Sequence, residues 1–218
     1  MADIDLVIFD LDGTLLDTIE DLGDSVNEVL RSRQLPEHSY NDYREYIGDG
    51  MEMLIRRALP TEFASDPEVF SAVLEDYQAA YGRNWNNKSG PYEGIPECLE
   101  SLSRQGVKLA VLSNKPHHFT RLCVSELLPG IAFAEVCGDR EGIARKPDPG
   151  GALAIADELG AASDRTLFAG DTDVDIFTAV GAGMVPVGVL WGFRSENELR
   201  EAGARHLVAH PDEIVSLT

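Results

Sequence analysis

The chain has 218 residues, 44% hydrophobic and 26% charged, enough for one well-packed core plus a smaller unit and too few for two large domains. With 38 acidic against 18 basic residues its net charge is -20, which argues against a basic nucleic-acid surface and against attraction to an anionic membrane. Its three cysteines, Cys98, Cys123 and Cys137, lack any C-x-x-C spacing and read as small buried hydrophobes in a reducing compartment. The opening Met1-Ala2-Asp3-Ile4-Asp5 has no signal-peptide pattern. No run approaches the roughly 18 apolar residues of a membrane span, so a cytoplasmic protein is expected.

The first element is Leu6-Val7-Ile8-Phe9, an apolar run too short for a helix and suited to a strand buried on both faces of a parallel sheet. The pattern then changes. Ile19, Leu22, Val26, Val29 and Leu30 fall at helical spacing, as do Met51, Leu54, Ile55, Ala58 and Leu59, and then Val69, Val73, Tyr77 and Tyr81. With no strand-like run between them, residues 18–86 are expected to form a helical insert of about four helices. Asp17-Thr18 and the polar stretch 84–90 are the expected hinges.

Beyond the insert, helix and strand signals alternate. Ile95, Cys98, Leu99 and Leu102 mark a helix that stops at Gly106. Apolar runs follow at 109–112, 166–169 and 185–190. Between them Leu153, Ile155, Ala156 and Leu159 mark a helix ended by Gly160. The expected fold is α/β: a doubly wound, mostly parallel, Rossmann-like core from residues 1–17 and 87–218, with residues 18–86 inserted after the first strand.

Open α/β sheets bind ligands beyond the carboxyl ends of their strands. There the sequence places Asp10, Asp12, Gly13 and Thr14 after the first run, Ser113, Asn114 and Lys115 after the second, and Asp171 and Asp175 after the third. Lys146-Pro147-Asp148-Pro149 lies in a loop between them. Carboxylates converging at one edge repel one another, and a hard divalent cation removes that penalty. Oxygen-only ligands suit magnesium, and the histidine and cysteine donors that zinc prefers are missing from the set. Gly13 permits a sharp turn, Thr14, Ser113 and Asn114 offer donors to a phosphate, and Lys146 supplies local positive charge.

Asp10-Leu11-Asp12-Gly13-Thr14, Ser113-Asn114-Lys115-Pro116, Lys146-Pro147-Asp148-Pro149 and Gly170-Asp171-Thr172-Asp173-Val174-Asp175 resemble, in order, the four motifs of the haloacid dehalogenase superfamily. The resemblance runs from Asp5 to about Phe193 and is strongest to the phosphoglycolate phosphatase-like group, whose cap is a helical insert between the first two motifs. Gly150-Gly151 departs from that group's usual Ala or Glu and Pro without touching a motif residue.

The resemblance implies that Asp10 is a nucleophile carrying an aspartyl phosphate, with Asp12 as general acid and then base. It implies magnesium held by Asp10, the main-chain oxygen of Asp12 and Asp171, with Asp175 supporting the metal site. It also implies a phosphoryl group held by Ser113, Asn114 and Lys146. In the cap, Arg56 and Arg57 are either readers of a substrate carboxylate or part of a solvated helix face, and Gly48-Asp49-Gly50 is either a substrate-reading loop or a plain helix–helix turn. His117, His118 and Trp191 read as capping or packing residues.

The expected partner is a small-molecule phosphate ester, with 2-phosphoglycolate as the leading guess; nucleic acid and membrane are not expected, and a homodimer is compatible with the sequence. Two alternatives stand beside this reading: a phosphosugar mutase of the same superfamily, and a non-enzymatic phospho-receiver module. Dehalogenation is disfavoured, because expelling halide does not need the acid Asp12.

Overall fold

The computed structural model describes residues 4–218, so Met1 to Asp3, part of the N-terminal stretch read above for a leader, lie outside the described residues. The chain opens with β1 (Leu6–Phe9) and β2 (Leu16–Asp17) and then runs through α1 (Ile19–Ser32), α2 (Tyr40–Tyr46), α3 (Met51–Ala58), α4 (Thr61–Ser65) and α5 (Pro67–Asn84). It returns by β3 (Gly90–Pro91) to α6 (Ile95–Arg104), β4 (Lys108–Pro116), α7 (His117–Leu127), β5 (Glu135–Asp139) and α8 (Gly150–Glu158). It finishes with β6 (Thr166–Gly170), α9 (Asp173–Gly181), β7 (Val185–Val189), α10 (Glu196–Ala202), β8 (His206–Val208) and α11 (Asp212–Val215). No described helix is long and apolar enough to cross a membrane.

Two compact units result. One takes the chain up to Asp17 and from Pro91 to Thr218; the other is Thr18–Gly90. The return point thus lies at Gly90, four residues beyond the 86 read from the sequence. The reason is local: the buried Asp21 carboxylate of α1 accepts hydrogen bonds from the main-chain N–H groups of Lys88 (2.9 Å) and Ser89 (2.8 Å) and from the Ser89 hydroxyl (2.7 Å).

The larger unit holds a six-stranded sheet in the order β5-β4-β1-β6-β7-β8, and every pair in it is parallel. β1 is central and buried along its whole length, as its unbroken apolar sequence requires. Leu6, Ile8, Ala110, Leu112 and Phe168 of the sheet pack with Ile155 and Ala156 of α8 and Ala179 of α9. The chain adds strands on one side of β1 (β4, β5) and then on the other (β6, β7, β8), so the order reverses beside β1. That reversal is where a doubly wound sheet opens a crevice for ligand.

The helical unit has five helices rather than about four. α1 and α5 carry the periodic stripe read from the sequence, with Leu22, Val26, Val29 and Leu30 facing inward on one and Val73, Tyr77 and Tyr81 on the other. α2 buries only Tyr43 and α4 buries nothing, so neither writes a stripe of its own. The Tyr77 and Tyr81 rings stack at 5.9 Å, and the Tyr43 hydroxyl donates to Asn27 Oδ1 at 2.6 Å.

Candidate active site

Every motif residue named above lies in the sheet-bearing unit. β1 leads into Asp10, the turn after it carries Asp12 and Thr14, β4 ends through Ser113, Asn114 and Lys115, β6 leads into Asp171, and α9 presents Asp175 in its first turn. Because β4 and β6 flank β1 in register, three adjacent strands deliver these side chains to one edge.

Lys146 is the hub. Its Nζ donates to Asp10 Oδ1 (2.7 Å) and to Asp175 Oδ1 (2.6 Å), and its side chain is 3% exposed. Burial alone would push the ammonium's pKa down; the two carboxylates reverse that and raise it. The loop holding Lys146 is tied to β4 by a reciprocal pair: Asn114 Nδ2 donates to the Lys146 carbonyl and the Lys146 N–H donates to Asn114 Oδ1, both at 2.9 Å. The Asn114 amide, expected at the phosphate, is thus engaged in placing Lys146. Asp175 is fixed from its other oxygen, which accepts from Thr172 N (3.0 Å) and Thr172 Oγ1 (2.7 Å) in a capping box at the start of α9. Gly170 leaves room for this arrangement, since a Cβ there would sit 2.3 Å from the Asp175 side chain.

Asp171 is fully buried. Its Oδ1 accepts from the Thr14 hydroxyl at 2.8 Å and its Oδ2 from the Phe193 N–H at 2.9 Å. Thr14, expected to face a phosphate, therefore uses its hydroxyl to aim Asp171. Gly13 sits at φ 90, and a Cβ there would lie 2.4 Å from Asp171 Oδ2, so both the backbone conformation and the close approach demand glycine. Trp191, read as a packing residue, donates from Nε1 to the Thr14 carbonyl at 2.9 Å and joins this part of the site to the segment after β7.

One ligand oxygen from each of Asp10, Asp171 and Asp175 lies within 4.8 Å of the other two, and all three residues are buried. Burial pushes Asp10 up to about 7; Lys146 opposes that shift, while Asp175 and Asp12 add to it. Burial and the same neighbouring carboxylates hold Asp171 well above the ordinary carboxylate range. Fully ionised, the three carboxylates exceed the Lys146 ammonium by two negative charges. The deficit equals one divalent cation, and the all-oxygen donor set is one that hard cations such as magnesium take.

Asp12 stands apart from this cluster. Lys115 Nζ donates to both of its carboxylate oxygens, at 2.8 Å and 3.0 Å. Lys115 was visible in the sequence as part of the second motif, but nothing there gave it a partner or a task. Ser113 is buried, and its Oγ accepts from the Lys115 N–H at 3.2 Å. Arg56 and Arg57 lie in the helical unit and are engaged there. Arg56 donates to the Ala64 carbonyl (2.7 Å) and stacks 4.2 Å from the Phe70 ring centroid. Arg57 donates to the Tyr46 carbonyl (2.9 Å) and pairs with Asp49, closing the Gly48-Asp49-Gly50 turn onto α3.

Fold and site together define an α/β enzyme with an acidic centre at the carboxyl edge of its sheet. The chain belongs to the haloacid dehalogenase-like hydrolase family, whose sequence profile matches residues 7–189. It is 32% identical over 199 residues to a phosphoglycolate phosphatase of Pseudomonas fluorescens (strain Pf0-1), covering 90% of this chain and 73% of that one. It is 34% identical over 190 residues to a phosphoglycolate phosphatase of Agrobacterium fabrum (strain C58), covering 86% and 81%. Among solved structures, a candidate phosphoglycolate phosphatase from Lactobacillus delbrueckii subsp. bulgaricus superposes with a TM-score of 0.91 at 30% identity, covering 99% of this chain and 98% of that one.

Proposed function

We propose that the protein is a magnesium-dependent phosphatase that hydrolyses a small phosphomonoester through an aspartyl-phosphate intermediate, an acyl phosphate, on Asp10. The observation that carries this reading is the buried Asp10 carboxylate at the end of β1, bridged by Lys146 and two residues from Asp12. Magnesium would be held by Asp10, the main-chain oxygen of Asp12 and Asp171, with Asp175 supporting the site. When bound, it supplies the two positive charges that the cluster lacks and that a transferring phosphoryl group requires.

The residues then divide the work. One Asp10 oxygen is held by Lys146, and the other attacks phosphorus in line with the departing oxygen. Asp12 gives that oxygen its proton, then takes a proton from the water that hydrolyses the aspartyl phosphate. Lys146 balances charge on the equatorial oxygens, with Asn114 fixing its loop. Thr14 and the Phe193 N–H keep Asp171 aimed, and Ser113, buried near the end of β4, is assigned to the phosphoryl group.

These residues read only the phosphoryl group. Selection of the remainder of the ester is assigned to the helical unit acting as a cap, which favours small soluble substrates over phosphoproteins and nucleic acids. The relatives' activity makes 2-phosphoglycolate the leading candidate. Arg56 and Arg57 already hold the partners described above, so a substrate carboxylate would take their remaining N–H donors.

The test is phosphate release, with and without magnesium, from phosphoglycolate, sugar phosphates, nucleoside monophosphates and pyrophosphate. Phosphoglycolate should give the highest kcat/KM. A tenfold deficit against any other ester, about 1.4 kcal/mol, overturns the substrate and leaves the phosphatase standing. Isomerisation of a sugar phosphate without free phosphate would favour a mutase.

A further inference from the structure

We propose that Lys115 is a positioning residue for the general acid–base, holding the Asp12 carboxylate in the orientation needed for proton transfer to and from the ester oxygen. The inference rests on the phosphatase reading and adds a residue that this reading leaves without a task.

The Lys115 side chain is 3% exposed, and that of Asp12 is 12% exposed. An ammonium removed so far from water is costly unless it is held by a counter-charge. Lys115 meets that requirement with Asp12, 103 positions away in the chain, and touches both carboxylate oxygens. A two-point contact restrains the carboxylate's rotation as well as its position, which a single hydrogen bond does not. The anchor is itself fixed. Its N–H donates to Ser113 Oγ at 3.2 Å, and its carbonyl accepts from Thr120 Oγ1 at 3.0 Å. The β4–β5 register shifts between Leu112 and Pro116, an irregularity of the kind that re-aims a strand's side chains.

The division between the two buried lysines supports the assignment. Lys146 serves Asp10 and Asp175, whereas Lys115 serves Asp12. The Lys115–Asp12 pair is neutral and leaves the charge of the Asp10, Asp171 and Asp175 cluster unchanged. Its effect is therefore to place the proton donor and acceptor.

The test compares two leaving groups in wild type, Lys115→Met and Lys115→Arg, with magnesium present. p-Nitrophenolate departs without a proton, whereas an alkyl oxygen such as that of phosphoglycolate requires one. Misplacing the acid by about 1 Å costs on the order of 100-fold. In Lys115→Met, the alkyl ester should therefore lose roughly 100-fold in kcat with KM changed less than about threefold. p-Nitrophenyl phosphate should keep a first-turnover burst within about threefold of the wild-type rate, followed by slow steady-state release, because only the water step still needs Asp12. Lys115→Arg keeps a buried cation against Asp12 and should recover the alkyl rate to within about tenfold; it is the variant to read if Lys115→Met does not fold. Equal losses in burst and alkyl turnover, or no loss in either, would overturn the proposal. An inactive wild type would instead overturn the phosphatase reading.

Discussion

In the sheet-bearing unit the side chains of Lys115 and Lys146 are 3% exposed, and each grips carboxylates brought from elsewhere in the chain. In the helical unit ion pairs lie at the surface, as in Arg31 with Glu37 at 66% and 42% exposure and Arg83 with Glu28 at 60% and 45%. Each is a cation against a carboxylate, yet the energetics differ. Exposed pairs contribute roughly 0–1 kcal/mol, while a buried pair must first overcome several kcal/mol of desolvation per ion. A fold seeking only stability has little use for the second kind. Its concentration at one sheet edge, beside three carboxylates, marks the place where charge is kept for chemistry.

The comparison breaks most sharply at Asp10. Asp10→Asn removes the nucleophile and a metal ligand together, so turnover should fall by on the order of 10³-fold or more. Thermal stability should hold or rise, because one of three mutually repelling buried carboxylates has gone. Phosphate release and a circular dichroism melt measure both; a matching loss of fold and activity would argue for a structural Asp10.

Lys146→Met comes next. It leaves Asp10 and Asp175 buried without their ammonium, a change expected to cost about 3–5 kcal/mol in metal-free protein. Magnesium should return part of that stability in a denaturant titration, since it neutralises the same carboxylates. Equal destabilisation with and without the ion would separate Lys146 from the proposed metal site.

A smaller effect comes from pH. The Asp10 carboxyl is pushed up to about 7 in the folded chain from an ordinary 3.8. The folded state therefore binds the proton more tightly than the unfolded state. This contribution is complete below about 3.8 and is lost as pH rises through about 7. Magnesium binds the deprotonated cluster, so its effect on Tm should be larger at about pH 8 than at about pH 6. A gain independent of pH contradicts the acidic cluster as its origin. Arg57→Ala should do least: its pair with Asp49 has both side chains 32% exposed, so about 0–1 kcal/mol of stability should be lost. p-Nitrophenyl phosphate turnover should change less than about threefold.

Much of this was legible in the sequence where a local pattern carried it. β1, β4, β6 and β7 each contain an apolar run, and the ends of β1 and β6 named the acidic residues directly. β5 was not legible, because Glu135-Val136-Cys137-Gly138-Asp139 at the sheet edge mixes polar and apolar residues. α2 and α4 bury one residue and none, so no stripe announced them. Within the site, the motifs named the participants but not who holds whom. The Thr14 hydroxyl faces Asp171, 157 positions on, and Lys115 meets Asp12 from 103 positions away. Such pairings are made by strand order and leave no mark in spacing. The engagement of Arg56 and Arg57 had the same origin, since their partners come from the fold of the helices around them.

Chemical trapping decides whether Asp10 carries a covalent phosphate during turnover. Wild-type protein mixed with magnesium and p-nitrophenyl phosphate, quenched in acid within a turnover and reduced with borohydride, should carry homoserine at Asp10 by peptide mass spectrometry. The conversion should require both substrate and metal, with Asp12 unmodified. A reduced residue at Asp12, or active turnover with Asp10 intact at every quench time, would rule out Asp10 as the nucleophile.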